Sequence, residues 1–155
     1  MLAGSAHDGP AGAGRVLAID YGERRIGLAI SDPSRTIATP AGFILRRAGK
    51  RPPVAEMIRR FEALEAREFV VGLPLDGEGN DTPRATEVRE LARALAERTG
   101  APVRLVDERF TTAAALRAIR ELGGSTEGRK GDVDALAATV LLQHALSFVE
   151  PGVVE

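Results

Sequence analysis

The chain has 155 residues, 44% of them hydrophobic, which is enough for one compact domain with a core and too few for two ordinary ones. Lys and Arg number 21 against 22 Asp and Glu, so no overall basic excess marks a nucleic-acid binder, and such a site must come from local clustering. With no cysteine and two isolated histidines, disulfides and thiolate zinc sites are excluded and a histidine-based metal site is disfavoured, so any metal must be held by carboxylates.

Residues 1–14, "MLAGSAHDGPAGAG", have neither a basic n-region nor an apolar h-region and read as a disordered tail rather than a signal peptide. No membrane-spanning run is found in the sequence, which leaves the cytoplasm as the default location. Arg15 to Tyr21 and Ile26 to Ser31 are β-rich runs joined by "GERR", a hairpin in which Gly22 is expected to supply an unusual backbone angle. A third run, Thr36 to Leu45, completes an antiparallel meander.

The period then changes. "PPVAEMIRRFEALEAR" sets Val54, Ile58 and Phe61 at helical spacing behind a proline start. "EFVVGLP" reads as a buried fourth strand and "GLPLDGEGND" as a glycine-rich loop. Thr82 and Pro83 predict an N-cap and N1 pair; Val88, Leu91, Ala92 and Leu95 form one stripe, and Gly100 stops the helix. "PVRLVDERF" predicts a fifth strand, "TTAAALRAIREL" a third helix, "GGSTEGRKG" a flexible loop and "DVDALAATVLLQHALSFV" a long apolar helix. The order βββαβαβαα implies a single α/β domain over 15–150, with a short tail at 151–155 and later strands joined in parallel by right-handed crossovers. Ligands in such sheets sit beyond the carboxyl ends of the strands.

Asp20 closes an apolar strand at such an end, a position where aspartate also serves simply to begin a turn. Asp107 and Glu108 end another buried strand; neighbouring residues face opposite ways, and the pattern alone leaves open which acid faces a cleft. Asp132 follows Gly131 where an N-cap belongs. Asp134 stands in line with Ala137, Ala138 and Leu141, heading the stripe that faces the sheet, where a carboxylate must be paired or bound to a cation.

"VLAIDYGERRIGLAISD", "VVGLPLDGEG", "DERFTTAAA" and "GDVDALAATVLLQ" together resemble the successive motifs of the YqgF, or RuvX, family, pre-16S rRNA nucleases related to Holliday-junction resolvases within the ribonuclease-H-like superfamily. The resemblance runs from about Val16 to Phe148. It implies a ribonuclease-H-like fold, a five-stranded mixed sheet in the order 3-2-1-4-5 with helices on both faces, and an acidic triad of Asp20, Glu108 and Asp134. It thereby selects Glu108 over Asp107. One departure is Glu78-Gly79, where the family has Asp-Gly in the loop after strand four.

Three carboxylates suit hard cations, Mg²⁺ or Mn²⁺, and two such ions roughly 4 Å apart stabilise the attacking and leaving oxygens of phosphodiester hydrolysis. Asp20, Glu108 and Asp134 are therefore the expected catalytic residues and metal ligands. Gly22, Arg24 and Arg25 in the hairpin, Arg109 beside the triad, and Arg129 and Lys130 in the flexible loop are the expected substrate contacts, reaching phosphates rather than bases. Arg46, Arg47, Lys50 and Arg51 read as solvated surface charges. The expected partner is nucleic acid: an rRNA precursor on the pre-ribosomal small subunit, or branched or single-stranded DNA. Two rivals are a non-catalytic RNA-binding adaptor and an ATP-binding actin-like module suggested by "IDYG", which lacks the second domain and Walker-type motif of a nucleotide site.

Overall fold

The computed structural model describes residues 13–46, 51–113, 115–116, 130–147 and 153–154. In chain order the elements are β1 (Arg15–Tyr21), β2 (Arg25–Ser31), β3 (Ala38–Leu45), α1 (Val54–Ala63), β4 (Ala66–Leu73), α2 (Pro83–Thr99), β5 (Val103–Asp107), a 3-10 turn (Glu108–Phe110), α3 (Lys130–Ser147) and β6 (Val153–Val154). The sheet runs β3-β2-β1-β4-β5-β6. Its first five strands have the expected order, with β1, β4 and β5 parallel and β2 and β3 antiparallel. A two-residue antiparallel strand, β6, extends the edge beyond β5.

Alternation along the strands divides the core. Leu17, Ile19, Tyr21, Phe69, Val71, Leu73 and Leu105 meet Met57 and Phe61 of α1 and Val88, Leu91 and Leu95 of α2. Phe61 and Phe69 stack at 4.1 Å between centroids. Val16, Ala18, Ala29, Val70 and Val106 face the other way, against Ala137, Ala138, Leu141, Leu142 and Ala145 of α3. Alanine on both sides of this second seam lets α3 lie close to the sheet. Helices therefore cover both faces, as expected.

α2 starts and stops where its caps predict. Thr82 Oγ1 accepts the Ala85 N–H at 3.0 Å, Pro83 follows at N1, and Gly100 adopts φ 75° at the carboxyl end. Other boundaries differ. β4 begins at Ala66, because Glu65 at φ 58° turns the chain straight out of α1. β5 ends at Asp107 instead of running through Phe110, because the Asp107 carboxylate accepts the Arg109 N–H and winds the chain into the 3-10 turn.

The expected N-cap at Asp132 is corrected. Helical backbone already includes Lys130 and Gly131, so Asp132 lies inside the first turn, where the positive end of the helix dipole favours an acidic residue. The expected third helix falls mostly outside the described residues; Ala113, Ala115 and Leu116 are helical, and Leu116 N–H donates to Thr112 O. Among the described residues, no helix is long and apolar enough to cross a membrane.

Candidate active site at the carboxyl ends of the parallel strands

β1, β4 and β5 all end at the same edge, because they run parallel. Asp20 is the penultimate residue of β1, pairs with Gly27 of β2 and is 0% exposed. Alternation from Val16 and Ala18 puts it on the α3 face of the sheet. Its backbone pairs with Gly27 of β2, and the β1–β4 pairing runs up to Ile19 and Val71 immediately before it, which fixes the carboxylate's point of origin.

Glu108 follows the end of β5 and is 2% exposed. Its side chain lies over Gly72 of β4: a Cβ built on Gly72 would come within 3.0 Å of Glu108 Cγ and 3.1 Å of Cδ, and would collide with Oε1. Gly72 is two residues beyond Val70, so this too is the α3 face. Ile19 pairs with Val71, which places Asp20 and Gly72 at the next level on neighbouring strands, about 4.8 Å apart. The Glu108 side chain thus crosses β4 at the level of Asp20.

Asp107, also 2% exposed, has a different task. It pairs in register with Leu73, and its carboxylate receives the Arg109 guanidinium, with Nη2 at 2.7 Å and Nε at 3.0 Å, in addition to the Arg109 N–H. Burial pushes this carboxyl up, but the Arg109 side-chain and backbone hydrogen bonds and its positive charge outweigh burial and hold it below the usual aspartate value. Arg109 Nη1 also donates to Asp76 O and Gly77 O at 3.4 Å each. The arginine expected at substrate therefore ties the 3-10 turn to the loop after β4. Asp76 organises that loop, its Oδ1 accepting the N–H groups of Glu78 and Asn80 at 2.9 Å each.

Asp134 lies in α3 one turn before Ala137 and Ala138, and its side chain is outside the described residues, as is that of Lys130. Arg129 lies wholly outside them. Among the described residues no three metal-binding side chains cluster. What the described part brings together is Asp20 and Glu108, two buried carboxylates on one face of one sheet edge. Their hard oxygen donors fit Mg²⁺ or Mn²⁺ and suit neither a soft metal nor a redox centre.

In the hairpin, Gly22 is corrected in its role. It is buried, is not among the positive-φ residues, and donates its N–H to Arg25 O at 3.1 Å while its carbonyl accepts from Arg46 Nη1 at 3.2 Å. Glycine supplies no unusual backbone angle there. Arg24 is exposed at the tip and Arg25 opens β2, half-buried.

Arg46 is corrected as well. It is no solvated charge: its side chain is 10% exposed, stacks 4.3 Å from the Tyr21 ring centroid and binds Glu87 at 2.8 Å. The closeness of Gly72 to Glu108 and the burial of Arg46 against Tyr21 and Glu87 were thus missed from the sequence. A glycine inside the apolar strand "VVGLP" is itself a signal of close approach. Arg46 has no comparable local signal.

A family model described as "RuvX: Holliday junction resolvase" matches residues 14–148. A protein of Clavibacter michiganensis subsp. michiganensis named "Putative pre-16S rRNA nuclease" is 41% identical over 133 residues, covering 86% of this chain and 83% of that one. Relatives with the same name from Koribacter versatilis and a Nocardioides species are 43% and 42% identical, each over 86% of this chain and over 86% and 88% of theirs. Among solved structures, RuvC of T. thermophilus in complex with a Holliday junction substrate superposes with a TM-score of 0.52 over 86% of this chain and 93% of that one, at 18% identity. That likeness concerns the fold.

Proposed function

The chain belongs to the RuvX family, and from that premise we propose that it is a metal-dependent endonuclease that processes the 5′ end of pre-16S rRNA. The observation that carries the proposal is the pair of buried acids, Asp20 and Glu108, on one face at the carboxyl ends of parallel strands. Asp134, carried by the helix packed on that face, is the third member. These three would hold divalent ions, which would supply charge stabilisation at the attacking and leaving oxygens.

The chain's own contribution is placement. In support, Asp20 starts from backbone paired with β2, Glu108 follows β5 in the turn that Asp107 and Arg109 wind, and α3, which carries Asp134, packs on the sheet through its alanine seam. Arg24 and Arg25 beside β1 contact substrate phosphates, with Arg129 and Lys130 approaching from the segment before α3. One tyrosine, five phenylalanines and no tryptophan leave little for base stacking, so recognition rests on backbone and shape. The reaction belongs in the cytoplasm, on the pre-ribosomal small subunit.

The family description favours a second reading, cleavage of branched DNA. The test is cleavage mapping of purified protein with Mg²⁺ or Mn²⁺ on precursor 16S rRNA, mature 16S rRNA, a four-way DNA junction and single-stranded DNA. Cuts confined to the precursor segment support rRNA processing; cuts at the junction alone replace it with the second reading. ATP turnover without cleavage refutes both.

A further inference from the structure

Gly72 lies inside β4 with no positive φ to require a glycine, yet the space above it is filled by Glu108. We propose that Gly72 is a positioning residue: the missing side chain is the seat that lets the Glu108 carboxylate cross β4 to the level of Asp20. This rests on the reading of Glu108 as a member of the catalytic triad.

The geometry is specific. A Cβ at Gly72 collides with Glu108 Oε1 and stands 3.0 Å from Cγ and 3.1 Å from Cδ, so every atom beyond Cβ on the Oε1 branch is affected. Glu108 cannot yield through its backbone. Its carbonyl accepts both the Thr111 N–H at 3.0 Å and the Thr111 hydroxyl at 3.1 Å, and the preceding Asp107 is locked to Arg109. Gly72 cannot yield either, because its strand is paired with β1 on one side and β5 on the other. The adjustment therefore falls on the carboxylate, the far end of a flexible side chain. Gly72→Ala should fold and misplace one charged group by roughly 1 Å, a displacement that costs about 10²-fold in rate at a catalytic site.

The experiment compares wild type, Gly72→Ala, Glu108→Ala and the double variant by three readouts: cleavage under saturating Mn²⁺, the Mn²⁺-induced rise in melting temperature, and the melting temperature without metal. The expected result is a Gly72→Ala protein with kcat reduced about 10²-fold, KM for nucleic acid unchanged and the Mn²⁺-induced rise cut to that of Glu108→Ala. In metal-free protein, whatever stability Gly72→Ala loses should vanish when Glu108→Ala is already present, since the collision then has no partner. A glycine needed only for strand structure would cost the same in both backgrounds, and that result overturns the proposal.

If Gly72→Ala fails to fold, the double variant decides: folding rescued by Glu108→Ala upholds the seat, and no rescue overturns it. Wild-type cleavage by Gly72→Ala, with Glu108→Ala inactive, overturns this inference and leaves the triad standing. Wild-type cleavage by Glu108→Ala removes the triad itself and this inference with it.

Discussion

Replacing Ala138 by leucine tests whether the close approach of α3 to the sheet is what brings the acids together. Ala138 is fully buried in the seam with Val16, Ala18, Ala29 and Val70, with neighbours on both sides at van der Waals density. An isobutyl group there must strain its neighbours or lift the helix, at a cost of about 1–3 kcal/mol. For a chain of this size each kcal/mol lowers the melting temperature by about 2–4 °C, giving an expected loss of about 2–12 °C. Because the helix also carries Asp134, activity should fall further than stability explains, toward the 10²-fold that about 1 Å of misplacement costs.

Leu142→Ala is the control. Leu142 is equally buried in the same seam, and truncating it leaves a cavity costing about 2–5 kcal/mol without pushing α3 outward. Melting curves followed by cleavage assays, run well below both transitions, give the comparison. Ala138→Leu should be the more stable of the two and the less active. If both variants retain activity, or lose it in proportion to stability, the seam does not position the site.

Two further outcomes follow from the charges. Asp32 accepts N–H groups from Thr36 at 2.7 Å and Ile37 at 2.8 Å as well as the Ser34 hydroxyl, which lowers its pKa from 3.8 to about 2. The folded carboxyl sits below its unfolded value, so the turn's contribution is complete above pH 3.8 and is lost as pH falls through about 2; an NMR titration midpoint near 3.8 would refute this. Millimolar Mn²⁺ should raise the melting temperature of wild type and do much less for Asp134→Ala, which lacks one ligand and one repelling charge. Equal shifts in the two proteins would remove Asp134 from the ligand set and direct attention to Asp132.

Elements whose signals are local were legible in the sequence. α2 carries its own start and stop in Thr82, Pro83 and Gly100, and the apolar runs of β1, β2, β4 and β5 announce buried strands. The strand order came from family resemblance, since alternation and length fix strands but not which of them pair. Between Asp107 and Glu108 the period-two pattern was neutral, because the deciding contact is made by Arg109 folding back across a turn. Gly72 passed as part of an apolar run, for its meaning depends on a side chain from the neighbouring strand's end. Arg46 read as solvated because its partners, Tyr21 and Glu87, come from distant parts of the chain.

The central claim, that a carboxylate at the end of β1 holds metal for phosphodiester cleavage, is tested most directly by Asp20→Asn. The substitution keeps the shape of a buried side chain at a strand end and removes its charge. Single-turnover cleavage of precursor 16S rRNA in Mn²⁺ should fall by roughly 10²-fold or more, since a metal's charge stabilisation amounts to several kcal/mol and each 1.36 kcal/mol is tenfold. The melting temperature without metal should stay at or above that of wild type, because one of the mutually repelling acids is gone. Cleavage by Asp20→Asn at the wild-type rate, with the same dependence on Mn²⁺, would contradict the account.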